Sequence, residues 1–322
     1  MTLSDIQALV ATRMQRSEAL MRSEIESEVP LAELVIRYAL GSGGKRFRPL
    51  LVLLSAGACA YDGDHDITAA TFIEFIHSAT LLHDDVVDES AMRRGQPSAN
   101  IAFGNAASVL VGDFLYTRAF QLMIRTGNTA VLHIMADATN QVAAGEVMQL
   151  SNMHDPDVDE TRYYRVIELK TAVLFSAACH VAALLADAPA DKVHALAEYG
   201  KKLGIAFQIM DDILDYTGDA QTIGKALGDD LAEGKPTLPL IRAQSQLPPK
   251  EKARLRQIIE NGERDAIDEV RHMLESTDAF PYSRAAALRL AREAADCLAI
   301  FPDTPYKQAL ATLAHMAADR KA

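Results

Sequence analysis

At 322 residues and 49% hydrophobic content the chain is long enough for one large core, and a single domain over 1–322 is expected. A formal charge of −12 excludes nucleic acid and an anionic membrane surface as default partners, because both repel an acidic protein. Three widely spaced cysteines, Cys59, Cys179 and Cys297, lack metal-ligand spacing, and neither a basic-then-apolar leader nor an uncharged apolar run of about 20 residues is present, so a reduced, cytoplasmic chain with no integral membrane segment is expected.

Ser4 with Gln7 three residues later reads as a capping box opening an amphipathic helix through Leu9, Val10, Met14 and Leu20. A second helix, Leu31 to Leu40, stops at Gly41-Ser42-Gly43-Gly44, and the basic stretch Lys45-Arg46-Phe47-Arg48-Pro49 follows. Pro49 suits the first turn of the next helix, apolar on nearly every side to Ala60 and therefore buried. A helix from Asp66 carries Phe72 to Leu82, again mostly apolar, and ends in His83-Asp84-Asp85-Val86-Val87-Asp88. Helical patterns resume at Ala106–Arg125, Thr129–Leu150, Asp159–Leu185 and Ala190–Tyr216, then a Gly- and Asp-rich loop runs from Gly224 to Gly234. No strand-period run competes, and the composition, rich in Ala, Leu, Asp, Glu and Arg, agrees with an all-α fold.

Asp84 and Asp88, four apart, share one helix face, where their carboxylates suit a hard divalent cation; Asp85 lies about 100° round. An isolated Asp pair would read as a solvated helix end. These acids instead close a buried helix, where the dipole disfavours negative charge, so the fold gains little from them without a counter-charge. Asp211-Asp212-Ile213-Leu214-Asp215 repeats the D-D-x-x-D spacing within a second apolar helix. Oxygen-only ligation favours Mg²⁺, which keeps waters and binds through a few carboxylates plus substrate phosphates, so a diphosphate substrate follows. Fixed cations stand beside turns: Lys45 and Arg48, then Arg93-Arg94-Gly95, with Lys170-Thr171, Lys225 and Lys235 as further candidates. His77, seven residues before Asp84 on the same face, and the polar Thr171 and Gln208 on apolar helices are candidates for the reaction centre; the plainer reading of His77 is a core histidine satisfied by backbone.

Gly43-Gly44-Lys45-Arg46-Phe47-Arg48-Pro49, Leu81 to Asp88 with Arg93-Arg94-Gly95, Gly112-Asp113-Phe114-Leu115, Lys170-Thr171, Phe207 to Asp215 and Gly228 to Thr237 together resemble the trans-isoprenyl diphosphate synthase family, long-chain bacterial type, over nearly the whole chain. The resemblance implies an isoprenoid-synthase helical bundle around a deep central cavity, with the two Asp motifs facing each other at its mouth. It implies about three Mg²⁺ ions, with Asp84, Asp88 and Asp211 as direct ligands and Asp85, Asp212 and Asp215 behind them. Arg93, Lys170, Lys225 and Lys235 would grip the allylic diphosphate, and Lys45, Arg48, His77 and Arg94 the isopentenyl diphosphate. Ionisation, attack by the isopentenyl alkene and proton loss to the departing diphosphate would complete each cycle.

Ala79, five residues before Asp84 and so about 7.5 Å down the helix, is small where short-chain relatives place an aromatic plug. The expected product is C40 from farnesyl diphosphate, with C45 or C35 as alternatives. Met123 and Met135 are candidates for the cavity floor, although Met at helical spacing is also ordinary core filler. A non-catalytic partner subunit would lack Asp motifs, and a terpene cyclase would not need Lys45, Arg48 and Arg94. The family also implies a homodimer, for which the apolar helix Ala106–Arg125 is a candidate face, and a product passed to a membrane.

Overall fold

The computed structural model describes residues 1–41, 46–218 and 227–319, so Lys45 and Lys225 lie outside the described residues. The chain divides into two compact units: residues 1–139, 174–200 and 297–313 form one, and residues 140–173, 201–296 and 314–322 the other. Among the described residues the fold is all-α apart from one two-stranded hairpin.

In the first unit, α1 (Leu3–Leu9) is capped two residues earlier than the sequence suggests. Thr2, not Ser4, accepts from the Asp5 amide at 3.2 Å, and the Asp5 carboxylate accepts from the Thr2 amide at 2.7 Å. Aspartate reciprocates where Gln7 was expected because it sits at the third helical position from this cap. After a break at Val10 come α2 (Ala11–Glu24), α3 (Pro30–Gly41), α4 (Phe47–Ala58) and α5 (His65–Val87). Helix α5 is the unit's spine. Its run from Ala69 to Ile76 is buried on every side, and it packs most extensively against α7 (Asn105–Arg125), which follows the short α6 (Ala99–Phe103), and then against α4 and α2.

Between α5 and α6 lies a feature that helical periodicity does not reveal. Met92–Arg93 pairs antiparallel with Gln96–Pro97, Arg93 opposite Gln96, around a two-residue turn. Both turn residues are left-handed, Arg94 at φ 51° and Gly95 at φ 79°, the type I′ geometry that matches strand twist and that glycine supplies without strain. Two residues per strand are too few to register as a period.

In the second unit, the distal half of α8 (Thr129–Asn152) precedes a helical run from Glu160 to Leu185, of which residues up to Val173 belong to this unit. That run comprises α9 (Glu160–Ile167), a five-residue π-helical turn (Glu168–Ala172) and α10 (Val173–Leu185). It is long and apolar enough to cross a membrane, but 72% of its most apolar window is buried inside the protein. Helix α11 (Ala190–Thr217) follows, and its second half packs Ile205, Ala206, Ile209, Met210 and Ile213 into a core with Tyr163, Ile167, Leu238 and Ala287. Smaller helices at Asp229–Ala232, Leu238–Gln244, Pro249–Asn261 and Ile267–Glu275 enclose a second cluster around Tyr216, Leu240, Leu255 and Val270. Cys179 is a buried thiol and Cys59 a half-buried one.

Candidate active site

Within the first unit, Asp84 and Asp85 occupy the last turn of α5, and Asp88 is its C-cap residue, its amide donating to the Asp84 carbonyl at 2.8 Å. The middle carboxylate is buried and engaged: Asp85 Oδ1 accepts from Arg93 Nε at 2.7 Å and lies 2.6 Å from Nη2. Asp84 and Asp88 are half-buried at the surface of the helix end. The hairpin therefore returns Arg93 onto the motif eight residues before it.

The same hairpin borders a small cleft whose lining includes Glu74, His77, Asp85, Arg93, Arg94 and Gln96. Four guanidiniums act on His77, those of Arg48, Arg94, Arg93 and Arg46, while Glu74 and Asp85 supply the negative charge in this neighbourhood. Glu74 is buried and accepts from Arg46 Nη1 at 2.5 Å, while Arg46 Nη2 donates to the Leu40 carbonyl at 2.7 Å. Arg46 is thereby committed to the fold, in a left-handed conformation at φ 45°.

Arg48 is not so committed. Its guanidinium carbon lies 4.6 Å from the centre of the Phe175 ring, and its Nε is buried with no hydrogen-bond partner among the described residues. Burial pushes Arg48 down to about 10, against the pull of Glu74 and with repulsion from Arg94. Desolvation in the cleft lowers Arg94 too, although the residue as a whole is exposed at the turn, with Arg93 and Arg46 adding repulsion. His77 is held well below its usual 6.5, by burial first and then by the four arginines. Cations weakened in this way call for an anion, and a diphosphate supplies both charge and acceptors.

A test follows from the sign of the His77 shift. Because the unfolded chain protonates near 6.5 and the folded one only well below it, His77 contributes a loss of stability as pH falls through 6.5. Relative to a His77→Gln variant, the unligated wild type should lose up to about 1.4 kcal/mol per pH unit below that point in denaturant unfolding. Parallel pH profiles would contradict the assignment.

Within the second unit, the second motif is built the same way. Asp211 is exposed on α11, Asp212 is buried, and Asp215 is half-buried. Asp212 accepts from the Tyr163 hydroxyl at 2.5 Å and from Gln208 Nε2 at 2.8 Å, and Gln208 Oε1 accepts from the Thr171 hydroxyl at 2.8 Å. Burial raises Asp212 well above the carboxylate range, with Asp230 adding repulsion, and burial raises the Tyr163 phenol. Asp215 holds the following segment: its carboxylate accepts from the Asp230 amide at 3.2 Å and its carbonyl from the Gly228 amide at 3.1 Å. Lys235 pairs with Glu233 and lies 3.9 Å from Asp230.

Lys170 and Thr171 sit in the π-helical turn, a geometry that re-aims side chains and recurs at functional sites. Lys170 Nζ lies 2.5 Å from Glu146 of α8. The two helices approach so closely that a Cβ on Gly145 would fall 2.6 Å from the Lys170 amide nitrogen, so only glycine fits there. Ala79, Met123 and Met135 are fully buried in the first unit, and none of them lines the cleft. Tyr163, Glu74 and Glu146 escape a motif search, being single residues on regular helices.

The donor set can be tested against a metal. In each motif the middle aspartate is buried against protein donors, while Asp84 and Asp88 are half-buried and Asp211 is exposed. Among the described residues no three His, Cys, Asp or Glu side chains converge as a ready-made cage. One or two carboxylate donors per helix, with no nitrogen or sulfur, is the set Mg²⁺ takes when substrate phosphates and water complete its shell.

Comparison with known proteins agrees with these features. The polyprenyl synthetase family model matches residues 29–277. The chain belongs to this family, the trans-isoprenyl diphosphate synthases, and is a prenyl-transferring enzyme. It is 48% identical over 321 residues to octaprenyl diphosphate synthase of Haemophilus influenzae, covering 99% of this chain and 98% of the relative. To octaprenyl diphosphate synthase of Escherichia coli it is 46% identical, with 99% of each chain covered. A polyprenyl synthase from Caulobacter crescentus, crystallised with calcium and isoprenyl diphosphate, superposes with a TM-score of 0.97 at 39% identity over 100% of this chain and 98% of that one.

Proposed function

We propose that the chain is a long-chain trans-polyprenyl diphosphate synthase that extends farnesyl diphosphate with successive isopentenyl diphosphates to a C40 product, the size of a quinone side chain. The observation that carries this reading is the cleft beside the first Asp motif, which gathers His77, Arg93 and Arg94 in its lining, with the buried Arg48 acting on His77 and keeping an Nε that has no hydrogen-bond partner among the described residues. An enzyme that only ionised one diphosphate would not need it. Identity to two octaprenyl synthases along nearly the full chain supports the length class.

In this proposal residues 1–322 act as one catalytic domain. Arg48, His77 and Arg94, with Lys45, bind the diphosphate of the isopentenyl substrate, and Arg93, Lys170 and Lys235, with Lys225, bind that of the allylic one. Asp84, Asp88 and Asp211 would hold Mg²⁺, which when bound supplies positive charge to the leaving diphosphate. Asp85 fixes Arg93, and Asp212 and Asp215 fix the second motif and the segment after it. Thr171 and Gln208 place oxygens near the reacting carbon. The allylic C1–O bond breaks with its electron pair leaving on diphosphate, the isopentenyl alkene forms the new C–C bond, and the departed diphosphate takes the C2 proton. A site that excludes water protects the cation. A homodimer in the cytoplasm, delivering its product to a membrane, completes the reading.

The test is chromatographic sizing of the dephosphorylated product made from farnesyl diphosphate and radiolabelled isopentenyl diphosphate with Mg²⁺. A C40 band is expected. Products of C20 or shorter would remove the long-chain assignment, and no incorporation would remove the enzyme assignment.

A further inference from the structure

Resting on the function proposed above, we infer that Tyr163 is a positioning residue for the second acidic motif. Its phenol, together with the Gln208 amide, fixes the buried Asp212 carboxylate and so sets the direction in which Asp211 and Asp215 present theirs.

The geometry leaves Asp212 little choice. One carboxylate oxygen accepts from Tyr163 at 2.5 Å and the other from Gln208 at 2.8 Å, so each has a protein donor. The Gln208 amide is itself oriented, because its oxygen accepts from Thr171 and only its nitrogen remains to face Asp212. Tyr163 is 5% exposed and Asp212 4%, so water does not readily replace a lost donor. The ring is held by the apolar cluster of Ile209, Ile213 and Ala287 and stands edge-on to Tyr164, 5.5 Å between centroids.

Helical geometry converts that anchor into a direction. Asp211 and Asp215, four apart, project from one side of α11, and Asp212 lies about 100° from Asp211. With Asp212 pinned inward, Asp211 turns outward, where it is exposed, and Asp215 turns to the segment at Asp230. Removing the phenol oxygen would leave a buried carboxylate oxygen without its donor, and the helix would have to shift or admit water to satisfy it. Either response moves Asp211. A tyrosine that was only a core aromatic would tolerate phenylalanine with no effect on the motif.

The test uses the intact enzyme, with Mg²⁺ and inorganic diphosphate as calorimetric probes and the Mg²⁺ dependence of turnover as a second readout. Tyr163→Phe should weaken Mg²⁺-dependent diphosphate binding about 10-fold, the usual size of a loss behind a metal ligand, and raise half-saturating Mg²⁺ by a similar factor. KM for isopentenyl diphosphate should stay at the wild-type value. Asp212→Asn should show the same Mg²⁺ defect, and the double variant should be no worse than the poorer single one. Wild-type Mg²⁺ response in Tyr163→Phe, or in a folded Asp212→Asn should the first variant not fold, overturns the inference; so do single-variant losses that multiply. A wild-type protein that binds no diphosphate with Mg²⁺ and makes no product fails the underlying function instead, and the assignment goes with it.

Discussion

Asp84→Asn is expected to lower turnover by about 10³-fold while leaving the melting temperature within a few degrees of wild type. The substitution keeps shape and removes one charge at a half-buried helix end, where the helix dipole already disfavours a carboxylate. The fold therefore has little to lose and the chemistry a great deal. Asp85→Asn one residue on should separate the two effects. Its carboxylate is buried against Arg93, and halving a buried pair costs about 3–5 kcal/mol because the remaining charge is left unsatisfied. Thermal unfolding and single-turnover rates measured on both variants check this. Equal loss of stability in the two would mean that the first aspartate, like the second, serves the fold.

That contrast marks what the sequence could and could not convey. The long helices are legible because burial imposes its period on them: Ala106–Arg125 and Ala190–Tyr216 are observed as Asn105–Arg125 and Ala190–Thr217. The D-D-x-x-D motifs are legible because two repeats of a costly charge pattern on apolar helices demand a counter-ion. Which aspartate faces inward is not legible, since spacing alone treats Asp85 and Asp212 as companions of their neighbours. Their partners, Arg93 on the first strand of the hairpin eight residues on and Tyr163 across 49 residues, are tertiary facts. Lys170 and Lys235 read as cations awaiting phosphate, yet each has a carboxylate beside it, Glu146 and Glu233. Under the proposed function the pairing would hold the lysines ready for the substrate anion, a role that composition cannot distinguish from a surface salt bridge. The sequence signal for the hairpin was Arg94-Gly95, a left-handed pair that turn chemistry favours but four strand residues do not reinforce.

Ala79→Phe is expected to shift the product from C40 to C20 or shorter, with little change in KM for isopentenyl diphosphate. Ala79 has no exposed surface, and it lies on α5 five residues before Asp84, about 7.5 Å along the axis from the carboxylate that would hold the reacting end. A chain growing away from that carboxylate along α5 meets position 79 before it is long. The ring added there would stop it, whereas the cleft carrying His77 and Arg94 does not include Ala79 and should be untouched. The competing reading is that Ala79 is packed core, in which case the larger side chain costs about 1–3 kcal/mol and product length stays put. Product sizing beside a melting curve separates the two. Met123→Ala and Met135→Ala extend the test, because side chains that floor a channel should lengthen the product when trimmed, while core methionines should cost about 2–5 kcal/mol and leave the length unchanged. A long product from Ala79→Phe in a folded protein would place the tail on another path, and the length class would then rest on kinship alone.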